Sequence, residues 1–236
     1  MSLDLCKIAS YNCKNILTGH MGILLKKCDI VCVQEHWLSK QQLNGLNTLN
    51  DKFHGIGVSP MDDSVGFKQG RSYGGAAILW NIEIENMIQT VEIDSSIDWM
   101  CGINVISGNS KLLLLNVYLP YEKDSDAQLQ KYLDCLAKIE TVIQENPTTS
   151  VIILGDFNAD ISKASIFGTL LESFCNDVNY LMADKSFLPD ESFTYISEAW
   201  HTTSWLDHVL CSQDAIGTIS EITIDYDMQG SDHKPL

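Results

Sequence analysis

Two polar residues that follow an apolar run are the first candidates for chemistry. The run Val151-Ile-Ile-Leu154 contains three β-branched residues, which predicts a short buried strand. The chain then passes Gly155 and presents Asp156 and Asn158, two residues apart. A carboxylate there could take a proton from water, and a carboxamide could orient or donate to an oxyanion. Taken alone, however, the pair favours a β-turn, because Asp, Asn and Gly are common turn residues.

Polar residues that follow other apolar runs change that interpretation. They occur at Asn12, Gln34-Glu35, Asn116 to Tyr118, Asp156 to Asn158, Asp207, and Ser231-Asp-His233. Ligands and catalytic groups of α/β folds gather at strand ends, where a rigid sheet positions them. Six such places are hard to explain as turns, so we predict that their side chains share one active site.

The apolar pattern between these residues predicts strands interleaved with helices. Strands are predicted at 5–12, 29–35, 76–80, 82–93, 99–106, 112–118, 151–154, 192–196, 204–210 and 219–226. Helices are predicted at 15–27, 38–49, 124–144 and 163–175, and residues 57–75 are predicted to form a long glycine-rich loop. This order, with a β-meander in its middle and no repeat or linker, indicates an α/β sandwich formed by one domain.

The composition fits one large core and a strongly acidic surface. The chain has 236 residues, 45% of them hydrophobic, a formal net charge of −16 and a single arginine, Arg71. Such a surface repels polyanions, which argues against a nucleic-acid partner unless a local patch or a divalent metal compensates. No apolar run is long enough to span a bilayer. Most of the eight cysteines lie in apolar stretches, which favours buried free thiols in a reducing compartment over disulfides or a zinc site.

Six short motifs carry a resemblance to a known superfamily. They are Tyr11-Asn12, Val33-Gln-Glu35, Asn116-Val-Tyr118, Gly155-Asp-Phe-Asn158, Leu206-Asp207 and Ser231-Asp-His233. Their order resembles that of the endonuclease/exonuclease/phosphatase superfamily across essentially the whole chain. The resemblance implies a DNase I-like fold, a four-layered α/β sandwich in which two mixed β-sheets pack face to face with helices outside. It also implies one domain over residues 1–236, lacking the last strand that related chains have after the Ser-Asp-His motif.

Three longer segments narrow the resemblance further. They are Gln34-Glu-His-Trp-Leu38, Arg71-Ser-Tyr-Gly-Gly-Ala-Ala-Ile-Leu79 and Ser204-Trp-Leu-Asp-His208. All are similar to segments of the apurinic-type endonuclease domain of non-LTR (LINE-type) retrotransposons. The resemblance therefore implies a DNA-nicking enzyme that hydrolyses a phosphodiester and leaves a 3′-hydroxyl. It would act in the nucleus of a cell, as a monomeric module of a polyprotein.

The same resemblance implies a metal centre. Glu35 would be the principal ligand of Mg²⁺, with Mn²⁺ as a substitute ion, and Asn12 would lie beside it. Asp232 would lie near the metal or the leaving group. A hard cation such as Mg²⁺ prefers carboxylate and amide oxygens, which these residues supply.

The resemblance also implies catalytic roles. Asp156 would be the base or the water-orienting group, and Asn158 would bind a phosphate oxygen. His233 would stabilise the pentavalent phosphorane, or serve as the acid or base, and Asp207 would orient its imidazole. Tyr118 would donate to the scissile phosphate, unless it is a plain packing residue.

Substrate contacts are implied with less detail. Thr194 and Ser231 match positions that support the phosphate pocket in related enzymes, and Tyr195 lies in a hairpin, 194–203, that enters the DNA groove in related endonucleases. Candidate phosphate contacts are Lys14, Lys68, Arg71, Lys185 and Lys234. Because the chain is acidic, we expect weak DNA binding through a local patch. Other domains of the polyprotein, such as the reverse transcriptase, would supply further affinity.

Two alternatives remain open at the level of the sequence. One is a phosphatase or phosphodiesterase of the same fold that acts on a small phosphorylated substrate, for which an acidic surface is no obstacle. That function needs a basic pocket, and the chain has few cations to build one. The other is a degenerate binding module, which would require the loss of a catalytic group, yet the residues of the motifs are all present.

Overall fold

The computed structural model describes residues 6–65, 71–163, 165–197 and 199–236. The strands in chain order are β1 (Ile8–Asn12), β2 (Ile30–Gln34), β3 (Phe53–Val58), β4 (Ala76–Asn81), β5 (Ile88–Thr90), β6 (Met100–Ser107), β7 (Ser110–Tyr118), β8 (Ser150–Asp156), β9 (Tyr180–Met182), β10 (Tyr195–Ser197), β11 (Thr202–Ser204) and β12 (Asp207–Ser212). The α-helices are α1 (Met21–Lys27), α2 (Asp126–Glu145), α3 (Ile166–Asp177), α4 (Ala183–Phe187) and α5 (Gln213–Ile216). Segments of 3₁₀ helix cover Lys40–Thr48, Asp63–Val65 and Ile82–Met87.

Two mixed sheets and a short hairpin organise these strands. In the described part of the chain, the first sheet has the order β1-β2-β4-β3 and the second has the order β5-β6-β7-β8-β12-β9. The pairs β1–β2 and β7–β8 are parallel, and the other pairs in both sheets are antiparallel. Strands β10 and β11 form the hairpin.

Apolar side chains point alternately to the two faces of each strand, and they form three core layers. Ile30 and Cys32 of β2 face the second sheet, where they join Leu114 and Ile152 in a core between the sheets. Val31 and its neighbours on the other face of the first sheet pack with α1. The outer face of the second sheet is covered by α2 and α3. The predicted four-layered sandwich with helices outside is therefore confirmed.

The long helix α2 shows how the sequence specifies these layers. Its buried residues recur at helical spacing and face the second sheet: Tyr132, Cys135, Leu136, Ile139 and Val142. Burial of a side chain such as Ile139 contributes roughly 1.5–3 kcal/mol. Ser125 begins the helix, because its hydroxyl accepts a hydrogen bond from the backbone N–H of Gln128. In the described part of the chain, no helix is both long and apolar enough to cross a bilayer.

A buried polar network joins the two sheets. The amide nitrogen of Gln34 donates to Ser10 Oγ at 3.1 Å and to Asn116 Oδ1 at 2.6 Å. Asn116 in turn donates to the carbonyl oxygens of Val33 at 2.9 Å and Ala77 at 2.8 Å. Because a buried amide donor without a partner is costly, these hydrogen bonds favour one alignment of the sheets, although Gln34 Oε1 has no partner among the described residues.

Several predicted elements differ from the structure. The loop predicted at 57–75 begins within β3, which ends at Val58, and its residues 66–70 lie outside the described residues. Residues 15–20 are not helical, because Asn15 has a left-handed backbone (φ +109°) and α1 begins only at Met21. Residues 82–87 form 3₁₀ helix instead of strand, since the Asn81 side chain accepts a hydrogen bond from the N–H of Glu83 and starts a turn. Residues 219–226 alternate like a strand but pair with no neighbouring strand, and Ile219 and Ile222 only pack on the core.

The sheets bring their polar ends to one edge of the molecule. Strands β1 and β2 are parallel, and so are β7 and β8, so each pair ends on the same side. Tyr118 and Asp156 are direct partners at the ends of β7 and β8. Asp207 begins β12, which runs antiparallel to β8, and therefore lies opposite Asp156.

Candidate active site

A buried group of three residues forms the centre of this edge. His233 Nδ1 lies 2.8 Å from Asp207 Oδ2, and His233 Nε2 lies 3.8 Å from Asp156 Oδ2. The three side chains are at most 5% exposed. The imidazole therefore lies between two carboxylates and is hydrogen-bonded to one of them.

Burial and charge change the ionisation of this group. Burial raises the pKa of Asp156 to about 7, and the charge of Asp207 adds to the rise, while His233 and the amide of Asn12 oppose it. Burial alone would lower the pKa of His233, but the carboxylates of Asp207 and Asp156 outweigh that effect and raise it to about 9. Near neutral pH His233 is thus an imidazolium, and Asp156 is able to accept a proton.

Neighbouring hydroxyl groups fix the backbone around the group. Thr194 is fully buried, and its hydroxyl accepts hydrogen bonds from the backbone N–H groups of Leu206 and Asp207, each at 3.0 Å. The hydroxyl of Ser231 accepts a hydrogen bond from the N–H of His233 at 3.1 Å. The hydroxyls of Thr194 and Ser231 therefore fix the backbone at Asp207 and His233.

A carboxamide and a backbone N–H hold the Asp156 carboxylate. Asn12 Nδ2 donates to Asp156 Oδ2 at 2.9 Å, across the gap between the sheets. The backbone N–H of Asn158 donates to Asp156 Oδ1 at 2.9 Å, while the Asn158 side chain donates to the carbonyl of Leu119. The orientation of Asp156 is therefore fixed by the end of β1, which carries Asn12, and by the segment after β8, which is itself bound to the end of β7 through Leu119.

Glu35 lies beside this centre with partners of its own. Tyr118 donates its hydroxyl hydrogen to Glu35 Oε1, and Trp37 Nε1 donates to Glu35 Oε2 at 2.5 Å. Burial and then the charge of Glu35 raise the pKa of Tyr118, so Tyr118 stays a donor. The guanidinium of Arg71 lies 4.6 Å from the centroid of the Trp37 ring, which brings the single arginine near Glu35.

Asp232 has a cationic partner. Lys14 Nζ donates to Asp232 Oδ2, and the two side chains are 35% and 14% exposed. The hydroxyl of Ser231 lies 3.4 Å from the other oxygen, Oδ1. The residue predicted to lie at the metal is thus paired with an ammonium group.

The other predicted substrate contacts are placed differently. The ring of Tyr195 lies 5.0 Å from that of His233, centroid to centroid, so the hairpin contacts the site. Lys185 pairs with Glu172, and buried Lys234 donates to the carbonyl of Met228, so neither faces the site as a phosphate contact. Lys68 lies outside the described residues.

Left-handed backbone conformations cluster around the site. They occur without glycine at Lys14 (φ +46°), Glu35 (φ +54°), Trp37 (φ +60°) and Asn158 (φ +51°). Each such residue costs on the order of 1–3 kcal/mol and persists only where the surroundings impose it. The loops after β1, β2 and β8 are therefore shaped for placement of side chains and not for local stability.

A family model decides the identity of this fold. The model of the endonuclease/exonuclease/phosphatase family matches residues 9–233, nearly the whole chain. The chain belongs to this family. Since the family joins endonucleases, exonucleases and phosphatases, membership assigns the chain to the hydrolases of phosphate esters. No curated protein matches the chain.

Solved structures of the endonuclease/exonuclease/phosphatase fold resemble the chain at low identity. The AP endonuclease LMAP from Leishmania major aligns with a TM-score of 0.79 at 14% identity, over 98% of this chain and 86% of that one. A 3′ phosphatase, NExo, from Neisseria, bound to a product DNA hairpin, aligns with a TM-score of 0.73 at 15% identity, over 98% and 97%. The endonuclease domain of TRAS1, a telomere-specific non-LTR retrotransposon, aligns with a TM-score of 0.70 at 15% identity, over 98% and 95%. These likenesses confirm the DNase I-like fold.

The donor atoms at the site fit a metal ion, as is typical of the family. Among the described residues, the buried Oδ1 atom of Asn12 has no hydrogen-bond partner, so it is available as a ligand. The Glu35 carboxylate adds oxygen donors, which suit Mg²⁺. The group of Asp156, Asp207 and His233 could also bind a metal, because one ligand atom from each lies within 4.8 Å of the others.

Two histidines near the motifs have structural roles that the sequence leaves unassigned. His36 is buried, and its ring joins the carbonyl of Val58 to the N–H of Leu38. His208 is also buried, with Nδ1 2.8 Å from Asp184 Oδ2 and Nε2 2.8 Å from the carbonyl oxygen of Ala159. Burial would lower the pKa of His208, but Asp184 outweighs it and raises that pKa. His208 therefore anchors the loop after β8.

Three contacts in and around the site were not predicted from the sequence. Trp37 as a donor to Glu35, Lys14 as the partner of Asp232, and Lys163 as a link between loops all emerge only in the structure. Lys163 Nζ contacts Asp160 Oδ2 at 2.8 Å and the carbonyl oxygen of Thr203 at 2.6 Å, which ties the hairpin to the loop after β8. The place of Trp37 within the Gln34 to Leu38 motif could have indicated its contact with Glu35. No local sequence pattern indicates the contacts of Lys14 or Lys163.

Proposed function

We propose that the chain is a metal-dependent endonuclease that nicks DNA and leaves a 3′-hydroxyl, as the endonuclease domain of a non-LTR retrotransposon polyprotein. The observation that carries the proposal is the buried imidazole of His233 between Asp207 and Asp156. The raised pKa values of His233 and Asp156 favour an imidazolium beside a carboxylate that can accept a proton. Such a pair of a proton acceptor and a fixed cation suits attack of water on a phosphodiester.

Each of these residues would have a separate role in the reaction. Asp156 would take the proton from the attacking water, with its carboxylate held by Asn12 and by the N–H of Asn158. His233 would face the negative charge that develops on the phosphorane or leaving oxygen, and Asp207 would keep it protonated and oriented. In this structure the Tyr118 hydroxyl is bound to Glu35, so its proposed role is to position that carboxylate.

Glu35 and Asn12 are the proposed ligands of a Mg²⁺ or Mn²⁺ ion. Bound there, the ion would neutralise charge on the phosphoryl oxygens as a Lewis acid. A positive charge at this point would also offset the repulsion between DNA and a chain of net charge −16.

Two exposed groups support binding of DNA over a smaller substrate. Arg71 is exposed next to Trp37, and Trp200 in the hairpin is 80% exposed. An aromatic ring at a hairpin tip can stack on bases or enter a groove. With so few cations at the site, we expect weak binding by the monomer and further affinity from the reverse transcriptase and other domains of the polyprotein.

Plasmid nicking tests the proposal. Supercoiled plasmid is incubated with the chain and Mg²⁺, with EDTA, and with a His233→Ala variant. A His54→Ala variant is the matched control, because His54 is exposed and pairs with Glu85 away from the site. We expect relaxed circles from the wild type and His54→Ala only with Mg²⁺, and none from His233→Ala. Nicking that survives EDTA or His233→Ala would refute the proposal.

The acidic surface supports a second candidate, a phosphatase or phosphodiesterase of the same fold that acts on a small substrate. A charge of −16 does not hinder a small phosphate ester as it hinders DNA. Hydrolysis of p-nitrophenyl phosphate or its bis ester in Mg²⁺, without nicking of plasmid, would favour this candidate.

A further inference from the structure

The hairpin of β10 and β11 is attached to the active-site edge by contacts of two kinds. Backbone hydrogen bonds hold β10, because the N–H of Ile196 donates to the carbonyl of Asp232 at 2.9 Å and the N–H of Lys234 donates to the carbonyl of Thr194 at 2.6 Å. These bonds join β10 to the segment that carries His233. Strand β11, by contrast, is held by a side chain from the loop after β8.

That side chain is Lys163, and its ammonium group is fully engaged. Nζ donates to the carbonyl oxygen of Thr203 at 2.6 Å and to Ser204 Oγ at 2.8 Å, both in β11. It also donates to Asp160 Oδ2 at 2.8 Å. An ammonium group has three hydrogens, so these three acceptors use all of them. Lys163 is therefore committed to the hairpin and is not free to contact a phosphate.

The acceptor Asp160 is a rigid anchor for this contact. Its side chain is only 10% exposed, and its other oxygen, Oδ1, accepts hydrogen bonds from the N–H and the hydroxyl of Ser162 at 3.1 Å and 2.6 Å. The N–H of Trp205 also donates to Oδ1, at 3.4 Å. Because Asp160 lies in the loop that follows Asp156, the contact connects β11 to the catalytic loop.

The hairpin extends from the catalytic group into solvent. At its base, the ring of Tyr195 lies 5.0 Å from that of His233, centroid to centroid. Near its tip, Trp200 is 80% exposed, and its N–H donates to Ser197 Oγ at 3.3 Å. The N–H of His201 donates to the carbonyl of Ser197 at 2.8 Å, which closes the turn. A change of tilt at the base would therefore move the Trp200 ring relative to His233.

We infer that Lys163 is a positioning residue that sets the tilt of the hairpin over the active site, and thereby selects the DNA site that is nicked. The inference rests on the DNA-nicking function proposed above and names the residue that governs its choice of site. Without the ammonium, β10 would remain attached to the His233 segment while β11 would be released from the loop after β8.

Hydrogen exchange measured by mass spectrometry tests the attachment without DNA. In Lys163→Met, amides of β11 should exchange about 5- to 50-fold faster, as expected when a half-exposed charged donor is lost, while those of β8 and β12 keep the wild-type rates. Lys163→Arg should restore slow exchange, because a guanidinium can donate to the same oxygens. Lys185→Met is the matched control, since it breaks an exposed pair with Glu172 and should leave β11 unchanged.

Mapping of nick positions on supercoiled plasmid tests the choice of site. In Lys163→Met, the ratio of nicks at favoured sites to nicks at unfavoured sites should fall by about fivefold or more, the effect of one mismatched base pair in a binding site. The total rate at saturating DNA should change little, because Lys163 touches none of the catalytic side chains. Lys163→Arg and Lys185→Met should nick the same sites as the wild type.

Several outcomes would overturn the inference. They are unchanged exchange of β11 in Lys163→Met, an equal rise in β8 and β12, or a loss of nicking that is the same at every site. Because the Lys163 side chain is 54% exposed, its replacement leaves no buried cavity, and thermal unfolding checks that the variant is folded.

A second variant and the exchange assay separate the remaining explanations. Lys163→Met combined with Asp160→Asn leaves no unpaired carboxylate and should behave like Lys163→Met, whereas recovery of slow exchange in β11 would assign the effect to that charge and overturn the inference. If the wild type nicks no plasmid, the proposed function fails. Faster exchange confined to the hairpin in Lys163→Met would even then support the positioning role, because it is measured without DNA.

Discussion

Replacing Asp156 with asparagine should greatly reduce activity and yet stabilise the fold at alkaline pH. Burial raises the pKa of Asp156 from 3.8 to about 7 in the folded chain. A raised pKa stabilises the folded state below the unfolded pKa, and this contribution is lost as pH rises through the folded pKa. The wild type therefore loses stability between pH about 4 and about 7, by on the order of 4 kcal/mol for a shift of about three pKa units.

Asparagine cannot ionise, so the variant avoids this loss. Its single carbonyl oxygen can accept only one of the hydrogen bonds that Asp156 receives from Asn12 and from the N–H of Asn158, each 2.9 Å long. A buried donor left without a partner costs about 1–3 kcal/mol. We expect Asp156→Asn to be more stable than the wild type by about 1–3 kcal/mol above pH 8, and less stable by about 1–3 kcal/mol near pH 4.

Thermal unfolding from pH 4 to pH 9, in EDTA, measures this difference. In a domain of this size each 1 kcal/mol changes Tm by about 2–4 °C, so the two curves of Tm against pH should cross. Asp190→Asn, at an exposed position, is the control and should follow the wild type. Nicking by Asp156→Asn should fall by about 10²–10⁴-fold, the usual contribution of a general base. Parallel curves, or a variant less stable at pH 9, would refute the reasoning.

Three other substitutions test the surroundings of the site. Asp207→Asn removes the main charge that raises the pKa of His233, so the alkaline limb of the nicking profile should move to well below pH 9, with a loss of about 10²–10⁴-fold at pH 8. An unchanged limb would contradict this assignment. His208→Gln removes the buried hydrogen-bond partner of the Asp184 carboxylate, and urea denaturation should show a free energy of unfolding lower by about 3–5 kcal/mol. Gly155→Ala would place a Cβ 2.0 Å from a carbonyl oxygen of β7, so it should yield no folded protein by circular dichroism, whereas Gly217→Ala, with nothing within 4 Å of its Cβ, should fold normally.

The fold was predictable because the apolar patterns that indicate its strands and helices are local and periodic in the sequence. Alternating apolar residues predicted strands such as β8 and β12, and polar residues at their ends predicted one shared edge. The structure places Asn12, Asp156 and His233 together, as their motifs led us to expect. Strand pairing was less predictable, since residues 219–226 alternate like a strand but have no strand beside them.

The contacts that complete the site could not be read from the sequence. Lys14 meets Asp232 across 218 positions, and no spacing rule connects the two. The contact of Trp37 with Glu35 spans only two residues, but it depends on left-handed backbones at both positions, which neither residue type favours. Such conformations follow from tertiary packing, and so they become visible only in the structure.

The amide network of Ser10, Gln34 and Asn116 has a mechanical consequence for the enzyme. The hydrogen bonds of Asn116 with Gln34, Val33 and Ala77 cross from one sheet to the other. Sliding of the sheets by one residue would leave several buried donors without partners, at a cost of about 1–3 kcal/mol each. The gap between Asn12 on one sheet and Asp156 on the other is thereby kept at hydrogen-bond length. Breathing motions should therefore be confined to the loops, and amide hydrogens of β2 and β7 should exchange with solvent only when the whole chain unfolds.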